Sequence, residues 1–239
     1  MIDQDEPTVV HVADDRGEES LSGFLGSFSE EERKAVESVA MDMWGPYISA
    51  TKSLIPDAER KIAFDKFHIA KHLGDAVNKV RRQENRQLLR EGDESLKRTR
   101  YYWLMNPENL DWLAHATIEL LRRRNLQTAR AWAIKEFFAA LWKYRTRGWA
   151  RKFWLRWYAW AIRSRLEPIK RVARMIKRHL DGVLNAVVSG KTNARSEGIN
   201  ATIQKIKATA CGFRNRERFR NAIYFHLGGL DLYPEGVRS

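Results

Sequence analysis

From Lys66 to Leu227 the sequence offers no convincing strand, whereas before Asp65 short apolar runs alternate with helical segments. That asymmetry restricts the chain to a small α/β region joined to a large helical one. Thr8 to Ala13 reads as a strand, and Glu18 to Phe28 as an amphipathic helix with Leu21, Phe24 and Leu25 on one side. Ala35 to Met41 reads as a second strand closed by Asp42, and Lys61 to Phe64 as a third closed by Asp65. Pro46 opens a short helix through Leu54, which Pro56 helps to end. Strands separated by helices imply parallel pairing through crossovers.

Beyond Asp65, Ile69, Leu73, Ala76, Val77 and Val80 fall at helical spacing. The pattern predicts helices over Lys66–Arg90, Leu110–Arg124, Thr128–Tyr144, Ala150–Leu166, Ile169–Ser189, Asn193–Ala210 and Arg216–Leu227, with Gly92, Pro107, Gly148, Pro168, Gly190 and Gly212 at the joints. A structureless loop of that length is implausible, so the expected organisation has three parts. Residues 1–68 form a partial α/β core, 69–190 a helical insertion, and 191–239 C-terminal helices that complete the core.

Charge narrows the class of partner. Residues 1–32 hold ten acids against Arg16 alone, so the rest of the chain carries 42 bases against 20 acids. A body that basic points to a polyanion, although a solvated basic surface is the plainer alternative. No run approaches the roughly 18 to 20 apolar residues that would span a bilayer, so no membrane association is expected. Cys211 is the lone cysteine, which fits a reducing cytoplasm and leaves no CxxC metal motif.

Acids at the carboxyl ends of parallel strands are well placed to hold a divalent cation. Asp42 is read in that role. Asp65 occupies the same kind of position, but it also suits the N-terminus of the helix beginning at Lys66, the stronger reading for it on pattern alone. His68 follows Asp65 by three. His72 follows His68 by four, the spacing of a two-histidine clamp, but with no third ligand evident it reads as a hydrogen-bonded structural histidine. Far downstream, Asn193, Glu197, Asn200, Gln204 and Lys207 form one helical stripe, with Ile199, Ile203, Ile206 and Ala210 on the next face. Amides around a single carboxylate suggest contact with a phosphate backbone or with water near a metal, against the alternative of an amphipathic surface helix. Gly198 costs a helix about 1 kcal/mol relative to alanine, which close approach by another backbone or a nucleic-acid strand would explain.

Eight of the nine tryptophans lie in the helical region, densest at Trp142, Trp149, Trp154, Trp157 and Trp160. Arg145, Arg147, Arg151, Lys152, Arg156, Arg163 and Arg165 are interleaved with them. Cations neutralise phosphates and flat rings stack on bases. Tryptophans at helical spacing more often fill a core, so most are assigned there, with the basic residues as the exposed DNA-binding face.

Several phrases in order, Met41-Asp42-Met43-Trp44-Gly45-Pro46-Tyr47, Phe64-Asp65-Lys66-Phe67-His68, Val80-Arg81-Arg82-Gln83-Glu84, Leu96-Lys97-Arg98-Thr99-Arg100-Tyr101, Thr192 to Asn200, Gly212-Phe213-Arg214-Asn215 and Gly228-Gly229-Leu230-Asp231-Leu232, resemble the ISL-three family of bacterial insertion-sequence transposases. The likeness runs from about Val9 to Pro234. It implies a ribonuclease-H-like fold interrupted by a helical insert, with a DDE triad of acids binding Mg²⁺ or Mn²⁺. On that resemblance Asp42 corresponds to the second acid and Glu197 to the third. Asp65 and His68 correspond to a D-x-x-H signature beside the active site.

The resemblance also implies a first strand bearing the first acid, which the sequence does not supply. Thr8–Ala13 then corresponds to the third strand and Met1-Ile2-Asp3 to a stub of the second, leaving an incomplete sheet. Asp14 is the possible substitute, though topology argues against it. The family's upstream zinc-ribbon and helix-turn-helix segments are likewise not found. The expectation is a truncated, inactive transposase core or one half of a split gene, cytoplasmic and nucleoid-associated in a bacterium, and a homodimer on double-stranded DNA. The rival is a non-catalytic DNA-binding protein that uses only the basic helices.

Overall fold

Among the described residues the strands are shorter than the sequence pattern predicts. The computed structural model describes residues 1–3, 5–6, 8–15, 17–190 and 194–230, with 194–197 by backbone alone. Among these, strand structure is limited to β1 (Val39–Met41) and β2 (Ile62–Phe64), plus an isolated antiparallel bridge between Ile2 and Val9. The chain divides into two compact units, Met1–Ala58 with Thr192–Ser239, and Glu59–Lys191.

In the first unit, α1 (Glu18–Gly26), α2 (Glu30–Ala35) and β1 precede α3 (Gly45–Leu54), and α1 packs on α3. The expected strand at Thr8–Ala13 does not form. Its backbone is satisfied elsewhere: Val9 N–H donates to Leu227 O at 2.7 Å, Val10 N–H to Met1 O at 3.0 Å, and Val12 N–H to the Tyr224 hydroxyl at 3.0 Å. The expected strand at Ala35–Met41 keeps only its last three residues. Ser29 and Glu32 make a capping box, with Glu32 N–H donating to Ser29 Oγ at 3.2 Å and Ser29 N–H to Glu32 Oε2 at 2.7 Å, and that box starts α2.

The same unit is closed by two helices, numbered after those of the second unit as α12 (Ala194–Thr209) and α13 (Arg216–Leu227). Val9, Ile199 and Ile223 form a small core with Val12, Ile203 and Tyr224 against it. His11 stacks on Phe24 at 4.5 Å, joining the N-terminal segment to α1.

The second unit begins with α4 (Ala58–Lys61) and β2, then α5 (Lys66–Arg90), which matches its predicted limits. There follow α6 (Arg100–Leu104), α7 (Trp112–Arg123), α8 (Gln127–Ala139), α9 (Arg147–Arg163), α10 (Glu167–Arg178) and α11 (Leu180–Ser189). The single helix expected over Ile169–Ser189 breaks at His179, whose ring packs edge-on to Phe64 at 5.3 Å. The break re-aims α11 along β2.

Helix α5 is the axis of this unit, packed by α6, α8 and α10. It buries Ile69, Leu73, Ala76, Val77, Val80 and, unusually, Glu84. Glu84 Oε1 accepts from Gln127 N–H at 2.6 Å, and Oε2 from Thr128 N–H at 2.7 Å and Thr128 Oγ at 2.6 Å. The residue before α8, Leu126, has no capping side chain, so a carboxylate from another helix performs that task. Trp103 and Trp157 are fully buried and donate their ring N–H to Thr99 Oγ at 3.1 Å and Ile134 O at 2.9 Å.

Replacing Glu84 by alanine strands two amide donors and a hydroxyl in the core, and should cost about 3 kcal/mol. Urea unfolding is expected to show a lower midpoint with unchanged slope. A midpoint within experimental error of the parent would show that the cap carries no stability.

Candidate functional site

Strand β2 is buried at all three positions, so it lies inside the helical unit with no solvated face. Three features fix it there. Asn185 on α11 donates from Nδ2 to the carbonyls of Glu59 and Ile62, both at 2.8 Å. The Gly182 backbone meets the Phe64 ring so closely that a Cβ would lie 2.4 Å from Cδ2 and Cε2. The Arg147 guanidinium, from the first turn of α9, donates to Asn185 Oδ1 at 2.6 Å and to Asp181, bracing the helix that carries both.

That brace delivers Asp65 to the point where β2 becomes α5. Its Oδ1 accepts from Phe67 N–H at 3.0 Å, so it caps α5 as the pattern indicated. Its side chain is 1% exposed, and Oδ2 faces His68 Nε2 at 4.0 Å. One oxygen holds the backbone, and the other is directed at a 40% exposed imidazole. This acid–histidine pair suits a hard divalent cation such as Mg²⁺ or Mn²⁺, which one or two carboxylates and water commonly hold. His72, one turn on, is exposed.

In the first unit Asp42 stands, half-buried, at the carboxyl end of β1, between buried Met41 and the start of α3, where Pro46 occupies the first turn. Asp14, the alternative acid, is held by Arg220, whose Nη2 donates to both carboxylate oxygens at 2.9 Å. Helix α12 carries Glu197 in its backbone, but the Glu197 side chain lies outside the described residues, as does Asn193. Asn200, Gln204 and Lys207 are exposed, while Ile199 on the opposite face is buried. No described atom lies within 4 Å of a Cβ built on Gly198, so no neighbouring backbone accounts for that glycine.

The tryptophans of the basic region divide between core and surface. Trp154 and Trp157 are buried and Trp142 is half-buried, whereas Trp149 and Trp160 are 63% and 43% exposed. Arg145, Arg151, Lys152 and Arg156 are exposed, with Lys152 Nζ 4.8 Å from the Trp149 ring centre. Arg147, grouped with them by sequence, is the brace already described. Sequence reasoning did not single out Gly182, Asn185 or Glu84. A glycine and an asparagine within an apolar run, and an acid on the apolar face of α5, were the available signals.

Comparison with known proteins places these observations in one family. The ISL3 DDE transposase model, described as a transposase, matches residues 1–223, and the chain belongs to that family. It is 28% identical over 233 residues to the transposase of insertion sequence element IS1001 from Bordetella parapertussis, covering 96% of this chain and 55% of that protein. It is 24% identical over 239 residues to the transposase of element IS1557 from Mycobacterium tuberculosis, covering 90% of this chain and 53% of that protein. The chain therefore spans about half the length of these relatives. No solved structure matches it. The mostly helical fold with its two short strands is compatible with an α/β transposase core, and no described helix is long and apolar enough to cross a membrane.

A Gly182→Ala chain should lose about 1 to 3 kcal/mol, because the new methyl displaces the Phe64 ring next to Asp65. Hydrogen exchange at the β2 amides should accelerate together with the drop in urea midpoint. Parent-like exchange and stability would show that α11 does not hold β2 in place.

Proposed function

We propose that this chain is the core of an insertion-sequence transposase with a ribonuclease-H-like arrangement of acids, in which Asp42 and Glu197 hold Mg²⁺ or Mn²⁺ with Asp65 and His68 beside them. The observation that carries the reading is the buried Asp65 carboxylate at the end of β2, with one oxygen left toward His68. Asp42 ends its strand in the same manner, and parallel sheets gather ligands at that edge. A bound divalent ion would supply Lewis acidity toward a phosphodiester and a more acidic water.

The chain's own residues supply the rest. Asp65 holds the imidazole of His68 in position while capping α5. Asn200, Gln204 and Lys207 on the polar stripe of α12, together with Asn193 just before it in sequence, engage phosphate oxygens, and the open space at Gly198 admits a nucleic-acid backbone. Arg145, Arg151, Lys152 and Arg156 grip double-stranded DNA at the element's ends, with Trp149 and Trp160 available for stacking. The reaction of the whole transposase is hydrolysis at those ends followed by attack of the freed 3′-hydroxyl on target DNA. Two copies, one per end, make the working homodimer.

Mn²⁺ binding followed by calorimetry tests this reading. Asp42→Asn and Glu197→Gln should each weaken the ion at least about tenfold, and Asp65→Asn, which retains the helix cap, by a similar factor. His72→Ala should bind as the parent does. Parent-like affinity in Asp42→Asn and Glu197→Gln would overturn the reading. DNA binding that ignores both the cation and these changes would leave the basic helices as the function.

A further inference from the structure

The outer face of α5 carries a charge pattern that the proposed site does not use. Opposite the buried residues, Lys79, Arg82, Arg86 and Arg90 project at spacings of three, four and four, with Gln83 and Gln87 between them, all exposed. Along an α-helix that stretch covers roughly 16 Å. An ordinary solvated helix pairs opposite charges at i,i+4, whereas Arg82, Arg86 and Arg90 place like charges there and repel. The exposed guanidinium of Arg86 donates through Nε to the Arg82 carbonyl at 3.2 Å, a bond that uses only one of its donors. Two open hollows lie along this stripe, lined by Asp75, Asn78, Lys79, Arg82, Gln83 and Arg86 and, further on, by Gln83, Arg86, Gln87 and Arg90.

The cationic density extends sideways. Arg81, anchored on Asn78 Oδ1 at 3.1 and 3.2 Å, has its pKa lowered by burial first and then by the like charges of Arg100 and Arg82. The exposed carboxylates that flank the stripe in sequence lie at its ends. Asp75 precedes it, and Glu91 at its far end accepts from Gln87 Nε2 at 3.3 Å. The one acid in its middle, Glu84, points into the core, where α8 consumes both oxygens.

We propose that the α5 stripe from Lys79 to Arg90 is a track for the phosphate backbone of a DNA duplex. Naming DNA as the polyanion rests on the transposase reading; the track itself rests on the charge pattern. Duplex is favoured over single strand because this stripe presents cations and amides on a rigid rod, without the rings on which unpaired bases stack. It differs in this from the exposed face of α9, where Trp149 and Trp160 alternate with basic residues. Contacts of this kind fix position and carry no base preference. The stripe shares its helix with Asp65 and His68, so a duplex seated on it is held in fixed register to that pair.

Fluorescence anisotropy of the full chain with a labelled duplex of about 20 base pairs, in EDTA across a salt series, tests the track. The variant combines Arg82→Gln, Arg86→Gln and Arg90→Gln, with glutamine chosen to preserve the helix. Its log affinity against log salt should be shallower by about 2.7, and low-salt binding roughly tenfold weaker or more, equally for two unrelated sequences. A control combining Arg122→Gln and Arg123→Gln on α7 should keep the parent slope. Parent-like slope in the α5 variant, an equal loss in the α7 control, or a loss confined to single-stranded DNA would each overturn the proposal. Retained Mn²⁺ binding and a parent circular dichroism spectrum show that the variant is folded. A parent whose duplex binding depends on the stripe but which binds no Mn²⁺ would refute the metal reading and leave the track standing.

Discussion

One buried carboxylate, Glu84, organises the helical unit, because it ties the C-terminal third of α5 to the first turn of α8 through three hydrogen bonds. A carboxyl group placed in a core is tolerable only when its partners are complete, and here the partners are donors that α8 would otherwise leave unpaired. The two ends of α5 do different things. The N-terminal end receives β2 and holds Asp65, and the C-terminal half carries a free cationic face. Asp65, His68 and the proposed DNA track are thereby carried by one helix.

The brace behind β2 shows how a helical unit can replace the usual neighbours of a strand. Asn185 takes two carbonyls near the strand, and Gly182 lets α11 approach as close as the Phe64 ring allows. Arg147, grouped by sequence with the DNA contacts, donates to Asn185 and Asp181 while its side chain stays 44% exposed. Lys152 and Arg156, further along α9, are exposed as well.

Legibility in the sequence followed the strength of local signals. The apolar period of α5 and the cap at Asp65 gave that helix its true limits, and α13 also formed over its predicted range. Strand at Thr8–Ala13 was overestimated because alternation of valines says nothing about a partner, and here the partners are Met1, Leu227 and Tyr224. The Ser29–Glu32 capping box was readable, but no apolar period accompanied it. The break at His179 was not readable, since it depends on where Phe64 lies in space. The Asp42 and Glu197 assignments rested on a strand-end position, a polar helical stripe and family likeness.

The account stands on carboxylates from strand ends and from α12 gathering one hard cation. Crystals of the full chain soaked in Mn²⁺ and measured at the manganese absorption edge test this most directly. The account predicts an anomalous peak ligated by Asp42 and Glu197, with Asp65 and His68 adjacent. A peak elsewhere on the molecule, or ordered Asp42 and Glu197 side chains directed apart with no peak between them, would contradict it.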